Sequence, residues 1–480
     1  MNPTPSRSYD LLWLSLALLI LLPIALFLSI TPHDYWFYVR IGRDILQSGM
    51  IPRVDTFSYT YPGRPIFYQP WLSAVLFWWA HSVGGATLTF FLRGICIAVA
   101  YALIWALMRH AGTGTKLATL LTILLGLSSS TNWSMRPQIF AYPLFGLMLW
   151  VLWHWQNGRP KLLWTLPVAT LFWVNLHGSF ILAFILMGTA LLFGTGDRKK
   201  LVPWFVLSLL ATLINPRGIF VWGFVSQMLS SPSDQLFATE WRPPVNAGWQ
   251  MNIFFAWLLL FIPLVALSPR RLSLLEWIWF LGFGWLALSG LRYVIWFMFI
   301  MAILTGMLLT QLLSSFQRPA AVQNSNPAFN YVLSIALFVL PLAMLPGLRE
   351  SWWKDSPAPY HAATTPVTAT DWLGAPPELP GPLFAEYTFG SYLIFALPSR
   401  LLWIDNRFNA YPPEHWKKYQ TISSAQYPWE KLLDEDNVNL LMLSLNSQKT
   451  LVAAVKDSDV WCEQYRDETA VIFSRCEPMP

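Results

Sequence analysis

Charged residues are scarce in this chain, and their scarcity excludes an ordinary soluble protein. Only 12% of its 480 residues are Asp, Glu, Lys or Arg, while 55% are hydrophobic. Soluble domains carry about 25% charged residues. The formal net charge of +6 gives no argument for a nucleic-acid partner, because the positions of the basic residues have a topological explanation.

Cysteines and the common enzyme motifs are also few or missing. Of three cysteines, Cys96 lies in an apolar run and is interpreted as packing, whereas Cys462 and Cys476 lie in the tail. A disulfide between the tail cysteines is allowed. The sequence contains no P-loop, no HExxH, no CxxC, and no GxSxG between a strand and a helix.

Long apolar runs recur along the whole first part of the chain. Windows of roughly 20 apolar residues suffice to cross about 30 Å of hydrocarbon, and the 28 Trp and 17 Tyr fit anchoring at the membrane interface. The pattern predicts a polytopic α-helical membrane protein whose first span is retained, since no small-residue cleavage site follows it. About eleven spans are predicted, at 11–30, 86–108, 116–130, 138–155, 162–175, 178–195, 201–214, 250–268, 273–289, 292–315 and 329–347.

The short connections between these runs predict the orientation, because Lys and Arg mark cytoplasmic loops. With the N-terminus cytoplasmic, the inner loops contain Arg7, Arg109, Lys116, Arg159, Lys161, Arg198, Lys199, Lys200, Arg270, Arg271 and Arg318. The extracytoplasmic side of the plasma (inner) membrane then carries a long first loop, about 31–85, and the C-terminal tail. Polar residues other than anchors concentrate on that side, so we place function there.

Composition divides the chain into three regions. Residues 1–348 form the membrane region, 349–381 a connector rich in Pro and Ala, and 382–480 a small α/β domain. In that domain the pattern predicts helices at 390–397 and 447–456, and strands at 382–387, 400–407, 439–445, 460–465 and 469–475.

The first loop has structure of its own. Residues 36–49, WFYVRIGRDILQSG, predict an amphipathic helix that ends at Gly49. Residues 68–85, YQPWLSAVLFWWAHSVGG, predict a second one that ends at Gly84 and Gly85. Two such helices on the extracytoplasmic side would cover the membrane surface.

Asp34, just beyond the first span, is the first candidate for chemistry. One interpretation is an N-cap, in which the carboxylate accepts hydrogen bonds from the next helix. The other is a general base, or a ligand of a divalent cation with His33 assisting. In the same loop, Asp44 is interpreted as a partner of Arg40 or Arg43, and Asp55 as an Asx-turn residue.

Single arginines on the extracytoplasmic side form a second group of candidates. Arginine suits phosphate through its paired donors, although a structural ion pair or snorkelling to headgroups explains each one equally well. Neighbouring polar residues join the group: Gln138, a second acid Glu240, and His177, which is interpreted as a metal ligand, a phosphate donor or a buried structural histidine. The arginines are Arg93, Arg136, Arg217, Arg242 and Arg292.

These residues stand in a recognisable order. Residues 33–65, HDYWFYVRIGRDILQSGMIPRVDTFSYTYPGRP, resemble the first outer loop of the GT-C glycosyltransferase superfamily, in the bacterial branch related to dolichyl-phosphate-mannose-type mannosyltransferases. The resemblance continues through the motifs RPQ, NLHG, NPRG and EW and an Arg that opens a late span. It ends in the tail at Phe384–Ile394 and Ile404–Arg407.

The resemblance implies an inverting transfer of a sugar from a polyprenyl-phosphate carrier to a hydroxyl of a glycan, lipid or protein acceptor. Asp34 takes the catalytic role, as a base or through Mg²⁺ or Mn²⁺, and Arg or His residues bind the carrier phosphate. The chain departs from the family in two places. No second acid follows Asp34, and Tyr68, Gln69 and Pro70 stand where relatives carry a His-Glu pair.

Three functions follow, in order of preference. The first is the glycosyltransferase, in which Asp405 and Arg407 either shape the acceptor site or form an internal salt bridge. The second is a non-catalytic protein that binds lipid-linked glycan on the same scaffold, which the departure at Tyr68, Gln69 and Pro70 favours. The third is a transporter, which usually has broken or charged helices near the bilayer midplane.

Overall fold

The computed structural model describes residues 7–314, 326–352, 360–376, 379 and 381–476. Helices make up most of these residues. In the first half of the chain they are α1 (Arg7–Phe27), α2 (Tyr35–Ser48), α3 (Trp71–His110), α4 (Thr115–Ser129), α5 (Ala141–Gln156), α6 (Thr165–Leu176), α7 (Ile181–Phe193), α8 (Arg198–Ala211), α9 (Val221–Leu229) and α10 (Pro232–Phe237). In the second half they are α11 (Trp249–Leu267), α12 (Leu274–Ser289), α13 (Val294–Ser314), α14 (Pro327–Val339), α15 (Leu348–Trp352), α16 (Val367–Gly374), α17 (Gly390–Ala396), α18 (Pro413–Ser423), α19 (Trp429–Glu435) and α20 (Lys449–Lys456).

Short 3₁₀ helices and four strands complete the described elements. The strands are β1 (Leu383–Ala385), β2 (Leu440–Ser444), β3 (Trp461–Arg466) and β4 (Ala470–Arg475). The 3₁₀ helices are Ser130–Asn132, Pro137–Phe140, Pro160–Leu162, Gly178–Phe180, Gly218–Phe220, Thr239–Trp241, Leu291–Tyr293, Leu340–Met344, Tyr387–Phe389 and Phe408–Ala410. The predicted anchor Arg318 and parts of the predicted connector 349–381 lie outside the described residues.

A helix lies within or across each of the eleven predicted spans, with most ends differing by a few residues. Among the residues that the structure describes, five helices are long and apolar enough to cross a membrane: Arg7–Phe27, Trp71–His110, Trp249–Leu267, Leu291–Ser314 and Pro327–Met344. The others are apolar but shorter, so the number of spans stays a prediction. The mostly helical chain with a small C-terminal sheet confirms the coarse fold class.

The chain forms two compact units, and the first is helical. It comprises Met1–Leu28, Val83–Val225 and Thr239–Ala358. Helix α13 is largely buried and packs against α4, α11 and α12, while α1 packs against α4 and α14. Large apolar side chains nevertheless remain exposed on the outer helices, for example Trp285 and Val332. Helices that are apolar all round are typical of a lipid environment.

The second unit comprises Ser29–Ser82, Ser226–Ala238 and Pro359–Pro480. Its sheet has the order β1-β2-β4-β3, with β1 and β2 parallel and the other pairs antiparallel. The predicted strands at 382–387, 439–445, 460–465 and 469–475 are confirmed within a few residues. Cys462 and Cys476 form a disulfide, which settles the pairing that the sequence left open.

The predicted strand at 400–407 is wrong. Leu402 makes only isolated bridges, to Ser58 and to Leu383. The chain then turns, because Asp405 Oδ1 accepts the backbone N–H of Arg407 at 2.9 Å. An Asp that bonds the backbone two residues ahead favours a turn over a strand.

The amphipathic helices of the first loop are present. Helix α2 ends at Gly49, which is left-handed with φ of 68° and donates its N–H to Ile45 O. The second one is the first part of α3, which is broken at Gly85 with φ of 57° and ψ of −143°. The predicted stop is therefore a kink inside a longer helix, at a backbone conformation that glycine tolerates.

A buried charge cluster joins the first loop to the tail within the second unit. Arg407 donates to Asp55 Oδ1 and Oδ2 at 2.9 and 3.1 Å and to Asp405 Oδ2 at 2.6 Å, and all three side chains are buried. Burial disfavours the charged form of Asp405, but the Arg407 guanidinium outweighs it and lowers the pKa of the Asp405 carboxyl. The guanidinium also lies over the rings of Phe37 and Phe57.

Contacts of the first loop and the tail settle three further predictions. Asp55 Oδ1 also accepts the N–H of Phe57 at 3.1 Å, which confirms the predicted Asx turn. The salt-bridge interpretation of Asp405 and Arg407 is likewise confirmed. In α2, Arg40 pairs with Asp44 at 2.9 Å, as predicted.

Replacing Arg407 by Leu should lower the free energy of unfolding by about 3–5 kcal/mol, because two buried carboxylates lose their counter-charge. Chemical denaturation of the purified protein in detergent measures this loss. The control Arg466→Leu breaks a more exposed pair with Glu463 and should cost less than about 1 kcal/mol. The contribution of a carboxyl with a lowered pKa is present above 3.8 and lost as the pH falls below that ordinary value. The Arg407 effect should therefore shrink in acid; equal losses in both variants at neutral pH would contradict the role of the cluster.

Candidate active site and ion-pair cluster

The backbone at Asp34 is strained. Asp34 has φ of 64° and ψ of −73°, and the N–H of Tyr35 donates to His33 O at 2.9 Å. These angles and this hydrogen bond define the rare γ-turn with positive φ. A positive φ costs a residue that has a Cβ about 1–2 kcal/mol of conformational free energy. Such strain, held by the surrounding structure, is enriched at functional sites.

The N-cap interpretation of Asp34 is wrong. Asp34 precedes α2, but its carboxylate accepts no hydrogen bond from the first turn, all of which lies in the described part of the chain. The N–H of Phe37, in that turn, donates instead to Ser391 Oγ at 2.8 Å. A hydroxyl from the tail thus takes the place that a capping Asp normally fills.

The carboxylate of Asp34 accepts a hydrogen bond from the tail. Asn406 Nδ2 donates to Asp34 Oδ1 at 3.0 Å. Sequence reasoning named Asp405 and Arg407 and missed Asn406 between them. Asp405 and Arg407 pair with each other in a buried ion pair, and this pairing was the signal that the residue between them makes a different contact.

Aromatic and histidine side chains surround the start of α2. Trp36 stacks on His361 with ring centroids 5.0 Å apart, and Tyr35 Oη lies 3.3 Å from His81 Nδ1. Burial, together with His81, lowers the pKa of His361 to about 4. His361 is therefore neutral at physiological pH, and Trp36 packs on an uncharged ring.

The described residues do not gather a protein cage for a metal ion. No three His, Cys, Asp or Glu side chains among them come together as ligands. Asp34 is instead bonded by an amide donor, Asn406. Mg²⁺ is commonly held by one or two carboxylates together with substrate phosphates, so the predicted roles of Asp34 and His33 toward Mg²⁺ or Mn²⁺ stay predictions.

In the helical unit, three predicted residues form an ion-pair cluster. Glu240 pairs with Arg136 and also with Arg292, whose Nη1 lies 3.4 Å from Glu240 Oε1. The Arg292 guanidinium lies over the ring of Trp241, 4.5 Å from its centroid. All three charged side chains are partly exposed, which leaves them accessible. One carboxylate between two guanidinium groups leaves a net charge of +1.

Side-chain amides near Arg136 donate hydrogen bonds to the backbone carbonyls of the segment that carries Arg292. Gln138 Nε2 donates to Arg292 O, and Asn132 Nδ2 donates to Leu291 O, each at 3.2 Å. His177 lies between α6 and α7, and its Nδ1 accepts the N–H of Ser179 at 3.1 Å. Burial, Arg292 and Arg136 lower the pKa of His177 to about 3, so the ring is neutral.

Two other predicted arginines have different surroundings. Arg93 is fully buried, donates to Leu28 O and lies 4.5 Å from the centroid of the Phe90 ring. Arg217 lies in a turn in which Asn215 Oδ1 accepts its N–H at 2.7 Å. Asn175 Nδ2 donates to Ile214 O at 2.9 Å, which ties the NLHG motif to this turn.

The fold is similar to that of solved oligosaccharyltransferase and arabinofuranosyltransferase structures. Three solved structures illustrate the likeness. The archaeal oligosaccharyltransferase AglB from Archaeoglobus fulgidus, in complex with an inhibitory peptide and a dolichol-phosphate, aligns at a TM-score of 0.58 and 13% identity, over 95% of this chain and 72% of its own. The arabinofuranosyltransferase AftD from Mycobacteria aligns at 0.56 and 14% identity, over 98% and 42%.

ArnT from Cupriavidus metallidurans in the apo state aligns at a TM-score of 0.50 and 13% identity, over 97% of each chain. No protein-family model matches the chain, and no curated protein matches it in sequence. The likeness therefore rests on three-dimensional structure, and it confirms the fold that the sequence motifs implied.

The strained backbone at Asp34 makes a testable prediction. Both Asp34→Gly and Asp34→Ala remove the carboxylate, but only glycine relieves the positive φ. We expect Asp34→Gly to be the more stable by about 1 kcal/mol, measured as the ordering of their thermal unfolding midpoints. At Asp44, in the body of α2, the order should reverse, because Gly costs about 1 kcal/mol relative to Ala inside a helix. The same order at both positions would contradict the γ-turn at Asp34.

Proposed function

We propose that this protein is an inverting membrane glycosyltransferase that moves a sugar from a polyprenyl-phosphate carrier to an acceptor hydroxyl. The GT-C fold and the dolichol-phosphate held by AglB support a lipid-linked donor. The observation that carries the proposal is Asp34. Its carboxylate is kept out of the capping role that its position before α2 favours, and a strained backbone holds it on Asn406.

Asp34 acts as the general base. Its carboxylate takes the proton of the acceptor hydroxyl while the acceptor oxygen attacks the anomeric carbon. The bond between that carbon and the phosphate oxygen breaks, and its electron pair leaves with the polyprenyl phosphate. Attack from the face opposite the leaving group inverts the anomeric centre. Asn406 orients the carboxylate without neutralising its charge.

Arg136 and Arg292 bind the donor phosphate. Two guanidinium groups offer paired donors to phosphate oxygens. Glu240 offsets their mutual repulsion and holds them side by side, and Gln138 fixes the backbone at Arg292. His177, neutral beside them, supplies a hydrogen bond in place of a charge. Arg217 serves the same phosphate, whereas for Arg93, which is fully buried and donates to Leu28 O, we propose a structural role in place of the predicted donor contact.

The location and cofactor complete the proposal. The protein lies in the plasma (inner) membrane with its N-terminus cytoplasmic, and the second unit, including the tail, works on the extracytoplasmic side. A Mg²⁺ or Mn²⁺ ion on Asp34 predicts that EDTA abolishes transfer and that adding the ion restores it. Direct base catalysis predicts that transfer resists EDTA, so one titration decides between these routes.

One observation favours the second candidate function, a non-catalytic protein that binds lipid-linked glycan. Tyr68 and Gln69 are buried, and Tyr68 packs in the core beside Phe37, with ring centroids 5.6 Å apart. Core residues thus fill the place at which the resemblance leads one to expect a His-Glu pair. The two candidates differ in a single measurement, which is transfer itself.

That measurement is sugar transfer from radiolabelled polyprenyl-phosphate donors in membranes containing the wild type or Asp34→Asn. Asparagine keeps the size of the side chain but takes no proton, so we expect transfer to fall by about 100-fold or more. The control is Asp44→Asn, which alters an acid in α2 that pairs with Arg40 and should leave kcat unchanged. Retained transfer in Asp34→Asn would remove Asp34 from the mechanism, and no transfer by wild type with any donor would favour the binding protein.

The arginine cluster makes a separate prediction. Arg136→Lys and Arg292→Lys keep the charge but lose the paired donors, so each should raise the KM for the donor about tenfold while kcat changes little. The control Arg270→Lys changes an arginine paired with Glu276 and should leave donor KM unchanged. Steady-state kinetics with varied donor give both parameters. An unchanged donor KM in both cluster variants would contradict the phosphate site.

A further inference from the structure

We propose that Ser391 and Asn406, both in the tail, are positioning residues that switch Asp34 from a helix cap to a catalytic base. This inference rests on the proposed function and deepens it, because it names the side chains that prepare the base. Neither residue was a candidate from the sequence. Both act through Asp34, and each makes one of the two contacts that separate its geometry from that of an ordinary cap.

Ser391 removes the competing role of Asp34. The first turn of a helix has N–H groups without a partner inside the helix, and Asp is among the residues that satisfy them best. Asp34 stands in the capping position, so the local sequence alone favours a bond from its carboxylate to the first turn. Ser391 Oγ accepts the N–H of Phe37 at 2.8 Å, and both Ser391 and Phe37 are buried. The helix is therefore capped without Asp34.

Asn406 gives the released carboxylate a fixed direction. Its amide donates to Asp34 Oδ1 at 3.0 Å, and its own place in the chain is held on both sides by the buried pair of Asp405 and Arg407. Tyr411 adds a hydrogen bond to Asp405 Oδ2 at 2.7 Å. A neutral amide suits this task, because a cation in its place would favour the charged carboxylate strongly and weaken it as a base.

Gly390 allows the two positioning residues to work together. A Cβ on Gly390 would lie 2.6 Å from Asp405 Cβ and 2.7 Å from Asp405 Cα. Only glycine lets the segment that carries Ser391 approach the segment that carries Asn406 so closely. The two contacts to the start of α2 therefore come from two segments of the tail that pack directly against each other.

A purely structural cap and a positioning residue differ in what Ser391→Ala does. A structural cap predicts a lower unfolding midpoint with unchanged kcat. In our proposal Asp34 turns back to cap the first turn, so kcat falls about 100-fold, as misplaced catalytic groups do, while the unfolding midpoint barely changes. In an Asp34→Ala background no carboxylate can replace the hydroxyl, so Ser391→Ala should then lower the midpoint clearly.

Asn406 is tested by a double-mutant cycle on kcat. Asn406→Ala should lower kcat about 100-fold with donor KM within about twofold, again through misplacement of the base. In the Asp34→Asn background it should have no further effect on residual transfer. The control is Asn409→Ala, at an exposed residue of the same segment, which should leave kcat unchanged.

The two readouts separate the outcomes. If wild type transfers sugar and Asn406→Ala keeps its kcat, or loses as much in the Asp34→Asn background as in wild type, the inference is overturned. If wild type shows no transfer, the proposed function fails, and the unfolding midpoints still decide the geometry. A Ser391→Ala effect that depends on Asp34 supports the switch, and an effect independent of Asp34 overturns it.

Discussion

The buried guanidinium of Arg407 is the constraint on which the second unit depends. Three charged groups, Asp55, Asp405 and Arg407, lie away from water, and charges in that environment are tolerated only as a complete, hydrogen-bonded set. One carboxylate comes from the first loop, and the other carboxylate and the guanidinium come from the tail. Separating the two segments would leave buried charges without their full set of partners, which is strongly destabilising. The rings of Phe37 and Phe57 lie against the same guanidinium, so the start of α2 is held to the cluster as well.

The geometry of Asp34 follows from this attachment. A positive φ at a residue with a side chain, and a carboxylate turned from its own helix, are both unfavourable locally. They persist because Ser391 and Asn406 compensate at the same place, and these two are held by the Asp405–Arg407 pair and by the close approach of Gly390 to Asp405. The strain is thus stored at one residue and balanced by contacts from a segment far away in sequence.

Sequence reasoning worked where short-range physics decides the structure. The apolar runs, the stop at Gly49, the Arg40–Asp44 pair and the tail strands depend on neighbours within a few residues, and all were predicted. Motif order also led to Arg136, Glu240 and Arg292, which the fold brings together. The N-cap at Asp34 failed because a distant residue, Ser391, overrides a local preference. The strand at 400–407 failed for a local reason, because Asp405 bonds the backbone N–H of Arg407 and turns the chain.

The distance along the chain between Asp34 and its partners has a consequence for biosynthesis. Asn406 follows Asp34 by 372 residues, and at roughly 5–20 residues per second a ribosome needs about 20–75 s to bridge that interval. During this time α2 exists without Ser391, and its own aspartate is the best cap it has. The Asp34 carboxylate is therefore expected to cap α2 in the nascent chain, and the late arrival of Ser391 and Asn406 turns it away from the helix.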